Sequence, residues 1–445
     1  MRIGNLGSSA RADVDQFGAV TTRLGTGITW LIGADDRWHA PHETAATRQR
    51  FVEGLPVVAT AMRVPGGDIV ATTYGARSSN GCDAAVIDFA NDSALPVALS
   101  IVVSALRSID LDGDVVVVDG ARCIHLGKIP ARNAQGSYDA VVEAVTSGKA
   151  ATGWSGELQA TWFQRRKKSP VCAAFVVPLT HRTSHRIAVA MDDAVGVDHP
   201  TTFADSDAVV RGWDAHLRSG IRIESADIVA GDWSMIRTTA LLSAPSGDAA
   251  KQLCTFGFSD EAIGMAEDLW VAGDLRGVVA ATAAVWRTQR KLPMIDGLDH
   301  ILGEVLRVHA AEPTLMAECA DVLDGIGQSD VAAKVRRDLE ELPVHETVAN
   351  RAVLRIVGTT IDVCPDATLV VQGNQVAVYD APTPLGLFGF AIRWHGDRPA
   401  LLWTLDPHDA LANAVVTAST LDPSWSSGEF SGEVLLSTPP ACIAR

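Results

Sequence analysis

Over roughly the first 200 residues, apolar positions come in short runs separated by Gly, Asn, Asp and Pro, the spacing of antiparallel strands and their turns. Residues 14–38 read as a strand, a glycine turn and a second strand ending in Asp35-Asp36-Arg37-Trp38. Residues 56–64 lead through Pro65-Gly66-Gly67-Asp68 into 69–74. Residues 84–89, the turn Ala90-Asn91-Asp92-Ser93 and residues 95–103 predict a hairpin, and 115–118 with 123–126 predict another about Asp119-Gly120. Residues 171–179 and 187–190 flank a further polar turn. The pattern predicts an N-terminal antiparallel β-sandwich.

The period changes from two to 3.6 after Pro200. Val209, Val210, Trp213 and Leu217 share one face of a helix over 206–218. Similar patterns run through 234–242, 260–271, 275–290, 298–309, 314–323 and 330–342. Gly257-Phe258-Ser259-Asp260 and Gly327-Gln328-Ser329-Asp330 are comparable helix starts with Ser or Asp in capping position, which suggests a repeated αα-hairpin. Strand spacing returns after about 352. Residues 369–379 predict a hairpin about Gly373-Asn374, and 390–403 predict a second about His395-Gly396-Asp397. The expected fold is therefore α+β and multidomain: a β-sandwich over 1–200, a central αα-hairpin domain over 201–347, and a small C-terminal β domain over 348–445.

With 445 residues, 47% hydrophobic and 20% charged, the chain can bury several cores. A formal charge of −16 disfavours nucleic acid as a partner, because such binding rests on clustered Lys and Arg. The basic run Arg165-Arg166-Lys167-Lys168 reads as a solvated hairpin tip. No stretch is long and apolar enough for a membrane span, and the start lacks the apolar core of a signal peptide. Seven scattered cysteines without a CxxC pair favour reduced, buried thiols and a cytoplasmic location.

The 14–38 and 56–74 segments, Asp232-Trp233-Ser234-Met235-Ile236-Arg237 and residues 257–277 resemble glucoamylase- and trehalase-like glycosidases, which place a six-hairpin helical toroid behind a β-sandwich. The resemblance is made of short matches across roughly the first 290 residues. It implies a partial α/α toroid here, since about seven helices are read where the family has twelve. In that family an acid and a base act as a carboxyl pair, but no Trp-Glu loop like the family's acid motif is found. The resemblance thus implies a glycosidase-like protein of carbohydrate metabolism that does not hydrolyse and has a glycan-binding or structural role. An inverting hydrolase acting on an α-glucoside through other carboxylates, and a helical-repeat scaffold for a protein partner, are the alternatives.

The candidate catalytic carboxylates are Asp232, beside Trp233, and Asp274, in the loop before Leu275. Each also suits a helix N-terminus, where carboxylates are expected from capping and dipole effects alone. Trp233, Trp394, His395, Asp397 and Arg398 are candidate ligand-binding residues, because an indole face stacks on a sugar while its polar neighbours address the hydroxyls. The competing reading packs Trp394 and Trp403 across their hairpin. His181 and His185 flank a turn and read as a satisfied surface pair, so no metal is expected. Asp35, Asp36, His39 and His42 form a polar cluster around Trp38 that either lines a site or caps the sandwich. With no phosphate loop or dinucleotide fingerprint, no cofactor is expected. The expected partner is an oligo- or polysaccharide, with a protein partner or a second copy of the chain as alternatives.

Overall fold

The computed structural model describes every residue except 24, 36, 168, 192–195, 226–229, 310, 340–352, 410–412 and 438–445. It is a multidomain α+β protein with antiparallel sheets first, helices next and small sheets last. The chain divides into two compact units, Met1–Asp214 and Ala215–Arg445, so the division falls within the helix Ser206–Leu217.

The first unit holds an eight-stranded and a nine-stranded sheet. At the centre of the smaller sheet, Val97–Ala105 pairs with Gly27–Gly33 on one side and Val171–Leu179 on the other, both antiparallel. In the larger sheet, Asp83–Asn91 lies between Ser184–Ala190 and Gly67–Arg77. Period-two alternation sends Leu99, Ile101, Val103, Phe175 and Val177 into one core with Ile69, Ala71, Ile87, Phe89, Ile187 and Val189. The opposite face of the smaller sheet is covered as well. There Val102, Cys172, Ala174 and Val176 pack with Val141 and Val145 of the helix Tyr138–Thr146. This second burial explains why 97–105 and 171–179 read as almost continuous apolar runs.

The hairpin expected over 84–103 takes a different form, and the turn after 171–179 takes the same form. Asp83–Asn91 and Val97–Ala105 are consecutive but lie in different sheets, and so do Val171–Leu179 and Ser184–Ala190. Each turn is an arch from one sheet to the other, and Asn91 joins the two arches. Its Nδ2 donates to the carbonyls of Leu95, Leu179 and Thr180 at 2.9, 3.2 and 3.2 Å. Its Oδ1 accepts from the Ser93 amide and hydroxyl at 3.0 and 2.7 Å, while its backbone exchanges hydrogen bonds with Arg182 and Thr183. The 115–125 hairpin forms as expected, with a register shift at Val116/Val117. Arg165, Arg166 and Lys167 of the basic run belong to the short helix Trp162–Lys167 and not to a hairpin tip, and Lys168 lies outside the described residues.

The second unit is built around the helix Leu275–Gln289, whose residues from Gly277 to Val285 are all buried. It packs against Gly247–Thr255, Ser259–Val271 and Pro313–Gly325, and the last of these packs against Ser329–Arg337. The repeat read from the sequence has a clear physical basis. At Gly257, Gly273 and Gly327, with φ of 84°, 75° and 82°, a Schellman turn ends one helix just ahead of the next. The amides of Phe258, Asp274 and Gln328 each donate to the carbonyl five residues back, on Leu253, Leu269 and Leu323, at 2.9, 3.0 and 2.8 Å. Lys251 reaches the buried Glu318 at 2.6 Å, which ties the first of these helices to Pro313–Gly325.

A strand, Arg222–Ser225, lies where only helices are expected. It forms the edge of the C-terminal five-stranded sheet by pairing with Val376–Thr383, and the helices Gly247–Thr255 and Leu275–Gln289 pack on that partner strand. The boundary expected at 347/348 lies outside the described residues. The hairpin expected over 369–379 is replaced by a short 3-10 turn, Ala367–Leu369, and a strand that begins only at Val376. The second predicted hairpin forms, with Trp394 opposite Pro399 and His395 opposite Arg398. Cys82, Cys123, Cys172, Cys254, Cys319 and Cys364 are buried and form no disulfide among the described residues, and Cys442 lies outside the described residues. Among the described residues no helix is long and apolar enough to cross a membrane.

Asp83, only 1% exposed, accepts hydrogen bonds from Asn5, Ser8 and both Nε and a terminal nitrogen of Arg77, at 2.6–3.0 Å. Burial alone would raise its pKa, but the bonds from Arg77, Ser8 and Asn5 outweigh it and hold the carboxyl below its usual range. A depressed folded-state pKa contributes stability that is complete above the unfolded value near 3.9 and is lost as pH falls through the folded one. Asp83→Asn should therefore lose stability at neutral pH and narrow its gap to the parent protein below about pH 4, as read from urea melts across that range. A gap independent of pH would contradict this account. Asn91→Ala strands buried carbonyls and should cost roughly 1–3 kcal/mol in the same melts; a neutral change would mean that the arches do not depend on it.

Candidate functional site

The residues singled out in the sequence are placed in three environments. Asp232 is exposed in the first turn of the helix Ala230–Leu241. Asp274 is the N-cap of Leu275–Gln289, its Oδ1 accepting from the Gly277 amide at 3.0 Å. Trp233, expected to face a ligand, is instead 8% exposed, with its ring edge-on to Phe256 at 5.4 Å and under the Arg237 guanidinium at 5.5 Å. Arg237 is fixed in turn by donating to the carbonyls of Leu217 and Ile221 at 2.8 and 3.0 Å. The physical reason is helical phase: Trp233 shares the buried side of this helix with Arg237, Ala240 and Leu241.

His395, Gly396 and Asp397 are exposed at the hairpin tip, with Gly396 at φ 69° as the two-residue turn requires. Arg398 is committed to the main chain, donating to the carbonyls of Leu435 and Leu436 at 2.9 Å each. Trp394 is half-buried and shares the parity of the buried Phe388, Phe390 and Ile392. Trp403 packs on Trp425 at 5.2 Å rather than serving as Trp394's partner across the hairpin. His185 is no surface group: it is 3% exposed, and burial pushes its imidazole pKa down to about 4.

A cavity of about 220 Å³ lies in the first unit, lined by Asp15, Phe17, Thr29, Trp30, His42 and Tyr138, with Ala19 and Pro41 between them. The turn joining Arg11–Val14 to Val20–Thr22 supplies Asp15 and Phe17. Asp15 Oδ1 accepts from the Phe17 and Ala19 amides at 2.8 Å each, which sets the turn, and Gly18 at φ 79° completes it against Thr60. Gln49 bridges the Asp15 carbonyl and the Thr60 hydroxyl at 2.6 and 2.9 Å. The Phe17 ring meets His42 edge-on at 6.4 Å. Trp30 is 2% exposed, and its Nε1 is buried without a hydrogen-bond partner. Burial raises the Tyr138 phenol pKa, so the phenol stays protonated and can donate.

This arrangement joins aromatic surface to a few polar groups, the composition of a small-molecule site. The volume is below the roughly 300 Å³ at which drug-sized pockets begin, which limits any occupant to a small molecule. Asp15 is the only carboxylate among the lining residues. The sequence marked this region through its strand pattern and through the cluster containing His42. Phe17, Trp30 and Tyr138 carried no signal, because aromatic residues in strands and at a helix start are expected on packing grounds.

No family model matches the chain. No curated protein matches it. Among solved structures it is similar to one described as "Putative kojibiose phosphorylase from human microbiome", with a TM-score of 0.31 and 8% identity over 73% of this chain and 52% of that one. The chain thus spans about half the length of that structure.

The geometry of Asp274 leads to a direct measurement. Asp274→Ala removes a side-chain cap and should destabilise the second unit by about 1 kcal/mol, whereas Asp274→Asn, which can still accept the bond, should cost less. Equal costs in thermal melts would mean that the charge matters and the cap does not.

Proposed function

We propose that this protein is a carbohydrate-binding, glycosidase-like protein that holds a small sugar in the Phe17–Trp30–Tyr138 cavity without cleaving it. The observation that carries the reading is the cavity itself: the Phe17 and Tyr138 rings beside the buried Trp30, with Asp15 as acceptor and the Tyr138 hydroxyl as donor. A sugar has apolar C–H faces and a rim of hydroxyls, and this lining offers a partner for each. Hydrolysis needs two carboxyl groups placed across the scissile bond. A lone Asp15, engaged in its own turn, does not meet that need.

Binding should be saturable when the protein is titrated with glucose and with glucose disaccharides, followed by calorimetry. Phe17→Ala should weaken it roughly two- to tenfold, equivalent to about 0.5–1.5 kcal/mol of aromatic contact. His42→Ala, an exposed position, should reduce binding without lowering the melting temperature. The parent should release no glucose from starch-like glucans or trehalose. Absence of saturation with any of these sugars would remove the reading, and turnover abolished by Asp232→Asn or Asp274→Asn would replace it with a hydrolase.

A further inference from the structure

Away from the sugar cavity, three side chains from separate segments of the first unit converge: Asp114, His125 and His199 present ligand atoms that all lie within 4.8 Å of one another. We propose that they form a binding site for a single divalent transition-metal ion, with Zn²⁺ the best match. The site depends on strand register. Val115 pairs with His125, and the Leu126 amide donates to the Asp114 carbonyl at 2.8 Å, so the turn that starts Val115–Val118 lies against the end of Ala121–His125. Gly113, at φ 65°, permits that turn. His199 enters from a third segment, as the N-cap of the 3-10 turn Pro200–Thr202.

The spacing suits a shared ion better than a hydrogen bond. His125 Nδ1 and Asp114 Oδ2 are 3.5 Å apart, beyond the usual 2.7–3.2 Å of a nitrogen–oxygen hydrogen bond. Two ligands of one tetrahedral zinc, each about 2.0–2.2 Å from the metal, lie roughly 3.3–3.5 Å from each other. His125 Nδ1 accepts from the Gly127 amide at 3.2 Å, so ligation through Nδ1 would displace that hydrogen bond. The two imidazoles meet nearly edge-to-face, with centroids 4.5 Å apart.

His199 has the support that a metal-bound histidine requires. Its Nδ1 lies 2.7 Å from the Thr201 hydroxyl, so a proton on Nδ1 can be donated to Thr201 while Nε2 remains a ligand. As the N-cap, Nδ1 accepts from the Thr201 amide at 3.3 Å, and ligation through Nε2 would exchange that bond for one donated to the Thr201 hydroxyl. Arg122 is the cation felt by His125, and it is already paired with Asp112 at 2.9 Å. Two imidazoles and one carboxylate favour zinc or a neighbouring transition metal over magnesium or calcium, which prefer all-oxygen sets. With three protein ligands a fourth position is left for water.

The test uses the full chain, stripped with chelator and titrated with ZnCl₂ against a chromophoric competitor and with CoCl₂ by visible absorption. One ion per chain is expected, with a visible Co²⁺ band typical of low coordination. His199→Ala and Asp114→Asn should each weaken Zn²⁺ binding by at least roughly tenfold, and Thr201→Val by roughly ten- to a hundredfold through loss of the supporting hydrogen bond. His181→Ala, exposed and outside the cluster, should change nothing. His199 caps the Pro200–Thr202 turn, so its variant should melt slightly below the parent when metal is absent, and added Zn²⁺ should raise the melting temperature of the parent but not of the variant. No Zn²⁺ binding by the parent, or binding that persists unchanged in both His199→Ala and Asp114→Asn, would overturn the proposal and reduce the cluster to a contact between imidazoles and a carboxylate.

Discussion

The packing of two antiparallel sheets through their inward rows is the constraint on which the first unit rests. Phe89, Ile101 and Phe175 are fully buried in that interface, and Trp30 meets Phe89 edge-on at 5.7 Å. Because side chains alternate along a strand, a slip of one residue would turn each of these rows to the opposite face. The arches between the sheets must therefore deliver each strand in register. That requirement explains the side-chain bonds concentrated on Asn91, where two crossing turns share one amide. The Phe17–Trp30–Tyr138 cavity depends on the same frame, since Thr29 and Trp30 belong to a central strand and Tyr138 to the helix that covers its outer face.

The second unit solves a different problem, that of stacking short helices whose ends would otherwise leave carbonyl groups unpaired. The three Schellman turns at Gly257, Gly273 and Gly327 satisfy those groups and redirect the chain within a few residues. The polar residues of the helices are largely engaged in holding neighbours together. Asp321 bonds Arg336 and pairs with Arg287, and Arg336 continues to Asp324 at 2.6 Å. Carboxylates at helix starts serve in the same way, as Asp274 illustrates. The edge strand Arg222–Ser225 makes the helices and the C-terminal sheet parts of one unit, because its main chain is paired only when Val376–Thr383 is in place.

Much of the fold was legible. The change of period near 200 and the repeated Gly-x-Ser-Asp helix starts correspond to real elements, although the N-caps are Phe258 and Gln328 without a side-chain bond rather than Ser or Asp, and a hairpin forms about Gly396-Asp397. The candidate sites were far less legible. Trp233 looked like a ligand platform because a tryptophan beside an aspartate has the same appearance on a rim and in a core; only its contact with Phe256 and Arg237 distinguishes the two. Arg398 looked like a free donor, yet its fork is occupied by carbonyls some 37 residues away in the chain. Asp114, His125 and His199 have no motif spacing, so nothing local could have grouped them.

Local spacing of apolar residues, glycines and caps determined which segments are strands, which are helices and where most turns fall, because those choices are settled within a few residues by backbone geometry and side-chain periodicity. Tertiary structure decided which strand pairs with which, and so whether a turn is a hairpin or an arch between sheets. It also decided that a four-residue strand among helices belongs to a sheet formed 150 residues later. The convergence of Phe17, Trp30 and Tyr138, or of Asp114, His125 and His199, was decided at the same level. Such clusters are set by pairing register and by the packing of whole elements, to which residues distant in the chain contribute equally, and no local pattern records those contributions.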